Sequence, residues 1–211
     1  MVAGFSTSPP NQTLLAYAER KRVGGSALRL LDVGCGAGRN AVPLARAGFT
    51  VIGTDLSWPM LSAAASRDAS GRLRVILAPM DALPVRDHCM DLVVAHGIWN
   101  LARSGIELRR AIAEAARIAA SGAALFVFTF SRHTLPIDAV PVAGESFVFT
   151  QFSGSPQVFL SETELHDELQ RAGFDRDPDL PLREHNLPAH GQPRLGGAPV
   201  IYEAGFRFRG V

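Results

Sequence analysis

Asp32, Gly34, Gly36 and Gly38 fall at alternating positions in Leu31-Asp32-Val33-Gly34-Cys35-Gly36-Ala37-Gly38-Arg39-Asn40, where a short apolar run gives way to a helical pattern. Glycines at such a turn let the backbone come up to a ligand with no Cβ in the way. The free N–H groups at the start of the following helix favour an anion. Asp55 stands just past the next apolar run, where a carboxylate can accept both hydroxyl protons of a ribose. A dinucleotide fingerprint would place its third glycine at position 39, and Arg39 stands there, which disfavours a nicotinamide cofactor. His96, ending a fourth apolar run, is the side chain best placed to act as a general base.

These residues need a scaffold, and the chain alternates short apolar runs with segments of helical period, the pattern of a parallel sheet with crossover helices. Strands are expected at Leu28–Val33, Phe49–Gly53, Leu73–Ala78, Asp91–Ala95 and Ala123–Phe130. Helices are expected at Thr13–Arg22, Arg39–Ala47, Pro59–Arg67 and Ile106–Ala120, the last stopped by Gly122. Farther on, Phe147–Phe152 reads as extended, and Ser161 with Glu164 as a capping box opening a helix to Ala172. The proline-bearing tail Asp175–Pro199 reads as loop with one strand near Leu182–His185, and Val200–Arg209 as an antiparallel closing strand. The expected fold is a single α/β domain: a doubly wound, Rossmann-like, mostly parallel sheet with an antiparallel closing strand. Residues 1–27 would form an N-terminal helix or lid and residues 28–211 the domain proper.

Composition narrows the functions. With 47% hydrophobic residues the 211-residue chain can bury a sizeable core, so whole-chain disorder is excluded. The 21 basic against 20 acidic residues argue against a dedicated nucleic-acid partner, which needs a basic excess. No apolar run reaches the length of a membrane helix, and no basic start followed by an apolar core marks the N-terminus for secretion. The two cysteines, Cys35 and Cys89, fit a reducing compartment, and a cytoplasmic location is expected. On the expected fold they lie at opposite ends of the sheet.

The acid followed by Gly-x-Gly-x-Gly resembles the opening motif of the class I S-adenosylmethionine-dependent methyltransferases, over about Leu28–Phe130 and more loosely beyond. The resemblance implies that S-adenosylmethionine is the cofactor and that Asp32, Gly34, Cys35, Gly36 and Gly38 wrap its methionine part, with Asn40 facing the carboxylate. It implies that Asp55, followed by Leu56, holds the ribose. Met80-Asp81-Ala82-Leu83-Pro84 looks like the adenine-contacting segment, with Asp81 accepting from the exocyclic amine and Ala82 beside it. Asp91–Asn100 looks like the fourth-strand motif that faces the reacting methyl group, making His96 and Asn100 the catalytic candidates.

Absences at that exit narrow the acceptor. His96-Gly97-Ile98-Trp99 lacks the Asn/Asp-Pro-Pro-aromatic run of enzymes that methylate amino groups of adenine or glutamine. It also lacks the Asp-Asn pair that holds magnesium in catechol-type members, so no metal is expected. The chain is similar to the small, single-domain tellurite-resistance and thiopurine methyltransferases, and a small-molecule acceptor with an O, S or N nucleophile is expected. Tyr17, Trp99, Arg183, His185, His190 and Arg194 are candidates for its pocket. Three other readings stay open: an enzyme that uses the same cofactor site for another transfer, such as from a modified sulfonium donor, a non-catalytic cofactor-binding module, and an NAD-linked oxidoreductase. Asp55→Ala is expected to weaken cofactor binding with little effect on stability.

Overall fold

A computed structural model describes residues 9–22, 28–187 and 198–210. Five strands run parallel: β1 (Arg29–Val33), β2 (Thr50–Asp55), β3 (Leu73–Leu77), β4 (Met90–His96) and β5 (Ala119–Phe130). β10 (Ile201–Phe208) pairs antiparallel with β5, and β8 (Phe174–Arg176) and β9 (Arg183–His185) pair antiparallel with β10. The order is β3-β2-β1-β4-β5-β10-β8, with β9 also on β10. The order reverses between β1 and β4, and in an open α/β sheet the crevice beyond such a switch point receives the ligand.

Alternation along each strand splits the sheet into two apolar faces. Leu30, Val51, Leu92, Val94 and Phe126 pack under α1 (Gln12–Lys21), α2 (Ala41–Arg46) and α3 (Trp58–Arg67). Leu31, Val33, Val93, Ala95, Leu125 and Val127 pack under α4 (Gly105–Ile118) and α5 (Glu162–Arg171). Covering both faces is what a parallel sheet requires. No helix among the described residues is long and apolar enough to cross a membrane.

The expected elements are present with shifted ends. The capping box is made: Ser161 Oγ accepts from the Glu164 amide while the Glu164 carboxylate accepts from the Ser161 amide. Gly122 does not stop a helix; α4 ends at Ile118 and Gly122 lies inside β5. The register there jumps from Met90↔Ala119 to Leu92↔Ala124, so Gly122, at φ 75°, belongs to a bulge that composition alone disguised as a helix stop. Only Val148–Phe149 of the extended piece forms a strand, β6, paired with β7 (Gln157–Val158). The tail carries the unexpected strand β8 before β9.

Two candidate pocket walls belong to the core instead. Tyr17 is fully buried on α1, its hydroxyl donating to Asp177 Oδ2 at 2.9 Å, and Trp99 is buried in the apolar cluster on the opposite face of the sheet. His190 and Arg194 lie outside the described residues.

Candidate functional site

The loop after β1 and the turn after β4 meet across the switch point, and close packing there explains two of the three glycines. A Cβ on Gly34 (φ 70°) would come 2.6 Å from Ile98 Cδ1, and one on Gly38 (φ 75°) 2.7 Å from Val42 Cγ2. Gly36 (φ 54°) would meet only Met60 Cε at 3.3 Å, so its bare backbone is the part open to a ligand. Cys35 packs against Gly53 of β2, where a Cβ would stand 2.6 Å from its sulfur; burial pushes the thiol pKa up.

Above this loop lies a cavity of about 390 Å³ lined by Asp32, Gly34, Cys35, Gly36, Arg39, Asn40, Asp55, Met60, His96, Ile98, Leu101 and Phe128, among others. Leu56, Asp81, Ala82 and Asn100 are not among the lining residues. Leu56 lies largely exposed beside Asp55, and Asp81 makes no hydrogen bond to a described residue. The Asp81 segment is nonetheless held: Leu83 N–H donates to Glu114 Oε2 at 2.6 Å and Arg117 donates to Leu83 O at 2.9 Å.

Asn100 departs from expectation. It sits in the 3₁₀ turn Trp99–Leu101, which turns Leu101 into the cavity and buries Asn100, whose Oδ1 has no partner among the described residues. The side chain is therefore not in contact with the cavity, and the motif's spacing did not reveal that a tight turn follows Gly97 (φ 70°).

Three charged groups set the field of the cavity. Asp55 Oδ2 accepts from Gly36 N–H at 2.9 Å and Oδ1 from Ser57 N–H at 2.8 Å, which leaves each oxygen a further lone pair. Asp32 is buried beside the Ala41 amide, and burial, reinforced by Asp55, pushes its pKa up to about 7 against the pull of Arg39. Arg39 makes no ion pair with a described residue. Asn40 Oδ1 accepts from the Asn11 backbone N–H at 3.0 Å, and its NH₂ makes no hydrogen bond to a described residue. Sequence reasoning treated Arg39 merely as the residue that spoils a glycine motif; its charge was the missed signal.

His96 is held on every side. Phe128 stacks on one face with ring centroids 4.1 Å apart and planes 9° apart. An Arg39 nitrogen lies 3.0 Å from Nδ1 and 3.2 Å from Nε2. Those two atoms flank a single ring carbon, so an in-plane approach to both would collide with it, and the guanidinium must lie over the other face. Asn11 Oδ1 caps α1 by accepting from Leu14 N–H, and its Nδ2 donates to Glu203 Oε1 at 2.8 Å. The amide is thereby oriented with its NH₂ toward His96 Nε2 at 3.2 Å. Nε2 must then be the accepting nitrogen, and the proton sits on Nδ1.

A ring so placed is a poor base: its lone pair is in use, and burial together with Arg39 pushes its pKa down to about 4. The sign follows from linkage. The folded state binds this proton less readily than the unfolded chain, so the contribution is complete above about pH 6.5 and is lost as pH falls toward 4. His96→Gln should accordingly lose less stability than the wild type between pH 6.5 and pH 4, by about 2–3 kcal/mol in urea titrations. Parallel losses would mean that the ring is protonated as easily in the fold as out of it.

Comparison with known proteins agrees with this architecture. Residues 31–127 match the family model described as "Methyltransferase domain". A ubiquinone biosynthesis O-methyltransferase of Caulobacter sp. (strain K31) is 34% identical over 125 residues, 57% of this chain and 48% of that protein, so the match spans about half of the relative. Among solved structures, an S-adenosylmethionine-dependent methyltransferase of Methanosarcina mazei superposes with a TM-score of 0.70 at 18% identity, covering 97% of this chain and 100% of its own. A didemethyltoxoflavin N1-methyltransferase of Burkholderia thailandensis, solved with that compound and S-adenosylhomocysteine bound, superposes at 0.66 with 17% identity over 93% of this chain and 76% of its own. The matched segment, residues 31–127, runs from β1 into β5 and carries the glycine loop at the switch point, so this stretch of the chain matches a methyltransferase domain.

Proposed function

We propose that this protein transfers a methyl group from S-adenosylmethionine to a hydroxyl oxygen of a small molecule. The observation that carries the reading is the cavity lined together by Asp55, Asp32, the open backbone of Gly36 and Arg39, which makes no ion pair with a described residue. The O-methyltransferase name of the 34%-identical relative supports oxygen as the acceptor atom. When bound, the donor supplies a methyl group activated by its positive sulfur.

The residues present fit that donor part by part. Asp55 keeps lone pairs for the ribose hydroxyls while its backbone partners hold the loop. The exposed Leu56 gives an apolar surface to the base, and Asp81, with Ala82 beside it, is free to accept from an exocyclic amine. Asp32 faces the ammonium group, which favours its ionised form. Arg39 and the Asn40 NH₂ receive the carboxylate, so the anion partner shifts from a short helix start to a fixed cation. Gly34, Cys35 and Gly38 shape the loop, and His96, packed on Phe128, walls the cavity as a neutral ring. We read residues 28–211 as the donor-binding domain, with α1 clamped to its side through Asn11 and Tyr17.

Calorimetry tests the reading. S-adenosylhomocysteine should bind and NAD should not, and Arg39→Met should weaken S-adenosylhomocysteine about tenfold while leaving 5′-methylthioadenosine, which lacks the carboxylate, within about twofold. NAD binding without a response to S-adenosylhomocysteine would refute the cofactor. Equal losses for both nucleosides would move the carboxylate contact away from Arg39.

A further inference from the structure

His96 has no lone pair to spare, yet methylating a hydroxyl is eased by a group that takes its proton. A second imidazole stands on the same face of the sheet. Cross-strand pairs place His96 level with Phe128, Phe128 level with Glu203, and Ile201, two residues before Glu203, level with His185. His96, Phe128, Glu203 and His185 therefore share the face that carries α1, at the carboxyl end of β4 and β5.

Glu203 is 3% exposed, a costly position for a carboxylate unless its oxygens are engaged. Oε1 accepts from Asn11 Nδ2, the nitrogen that also touches His96, and Oε2 lies 3.2 Å from His185 Nε2. One amide thus joins the wall of the donor cavity to a buried carboxylate that holds a histidine. The carboxylate draws the His185 proton to Nε2 and leaves the Nδ1 lone pair without a partner among the described residues, on a side chain that is 43% exposed. The neighbouring pair, His133 and Glu184, belongs to the opposite face: Glu184 is level with Tyr202, its carboxylate is also taken by Ser131, and no hydrogen bond among the described residues links it to the cavity.

We propose that His185, oriented by Glu203, is the general base for the acceptor, which rests on the hydroxyl reading above and extends it. His185 Nδ1 takes the hydroxyl proton as the oxygen forms its bond to the methyl carbon. The carbon–sulfur bond breaks with its electron pair staying on sulfur, which leaves as a neutral thioether, and the proton remains on an imidazolium paired with Glu203. Glu203 is a positioning residue and His185 the catalytic one.

The test uses the full-length protein with S-adenosylmethionine, a panel of phenols and catechols, and the matching thiophenols, which are already ionised at pH 8. His185→Ala should lower kcat on the hydroxyl acceptors by about 10²–10⁴ and leave both thiolate turnover and S-adenosylhomocysteine affinity within about twofold. His133→Ala should change none of these. Independently of turnover, ¹⁵N NMR of the wild type at pH 8 should show His185 carrying its proton on Nε2. Full phenol turnover in His185→Ala, or an Nδ1-protonated His185, would overturn the base alone. A wild type that methylates thiolates and no hydroxyl would overturn the hydroxyl reading and the base together.

Discussion

Asp55→Ala should weaken S-adenosylhomocysteine binding by about 1.5–3 kcal/mol, roughly 10- to 150-fold, the effect of losing hydrogen bonds to a charged acceptor. The sequence suggested a variant of near-normal stability, and the structure corrects that. The carboxylate also accepts from the Gly36 and Ser57 amides, tying the glycine loop to the start of α3. Removing both acceptors should cost about 1–2 kcal/mol of folding stability in the ligand-free protein. Asp55→Asn keeps one oxygen and should recover part of the stability while binding stays impaired. Isothermal calorimetry and urea denaturation on the same preparations separate the two effects. An unchanged dissociation constant in a folded Asp55→Ala protein would place the ribose elsewhere.

Asp32→Asn should change how the protein responds to pH. In the fold the Asp32 pKa is raised from about 3.8 to about 7, chiefly by burial. A raised carboxyl contributes stability that is complete below the unfolded value and is lost as pH climbs through the folded one. Relative to Asp32→Asn, the wild type should therefore lose about 2–3 kcal/mol between pH 5 and pH 8. The same group links binding to protons. A donor carrying an ammonium and a sulfonium favours ionised Asp32, so wild-type affinity should rise with pH through about 7, with proton release seen as buffer-dependent calorimetric heats. Asp32→Asn should show neither. An identical pH dependence of stability in the two proteins would mean that Asp32 is ionised in the fold throughout.

Local rules made much of this molecule legible. The strand and helix order through Phe130 follows from apolar period, and the Ser161–Glu164 capping box from residue type at a spacing of three, because both are set by neighbours along the chain. The glycine loop was legible for the same reason: positive φ at 34, 36 and 38 is a local demand that only glycine meets without strain. Where a long-range partner competes, local rules failed. Gly122 resembles a helix stop but lies in a bulge created by pairing with β4, and Tyr17 looks available for a pocket until Asp177 takes its hydroxyl.

The sequence by itself determined the parallel sheet, the switch point and the acidic and glycine residues around it, since each depends on periodicity or on backbone freedom within a few residues. Only the tertiary structure decided what His96 is. Its protonation state depends on Asn11 from α1, Arg39 from the glycine loop, Phe128 from β5 and, through Asn11, Glu203 from β10. These residues are distant along the chain, and no period or spacing encodes their meeting. A histidine at a strand end becomes a base or a wall according to which donors and charges the fold brings against its two nitrogens, because hydrogen-bond and Coulomb energies act over a few ångströms of space.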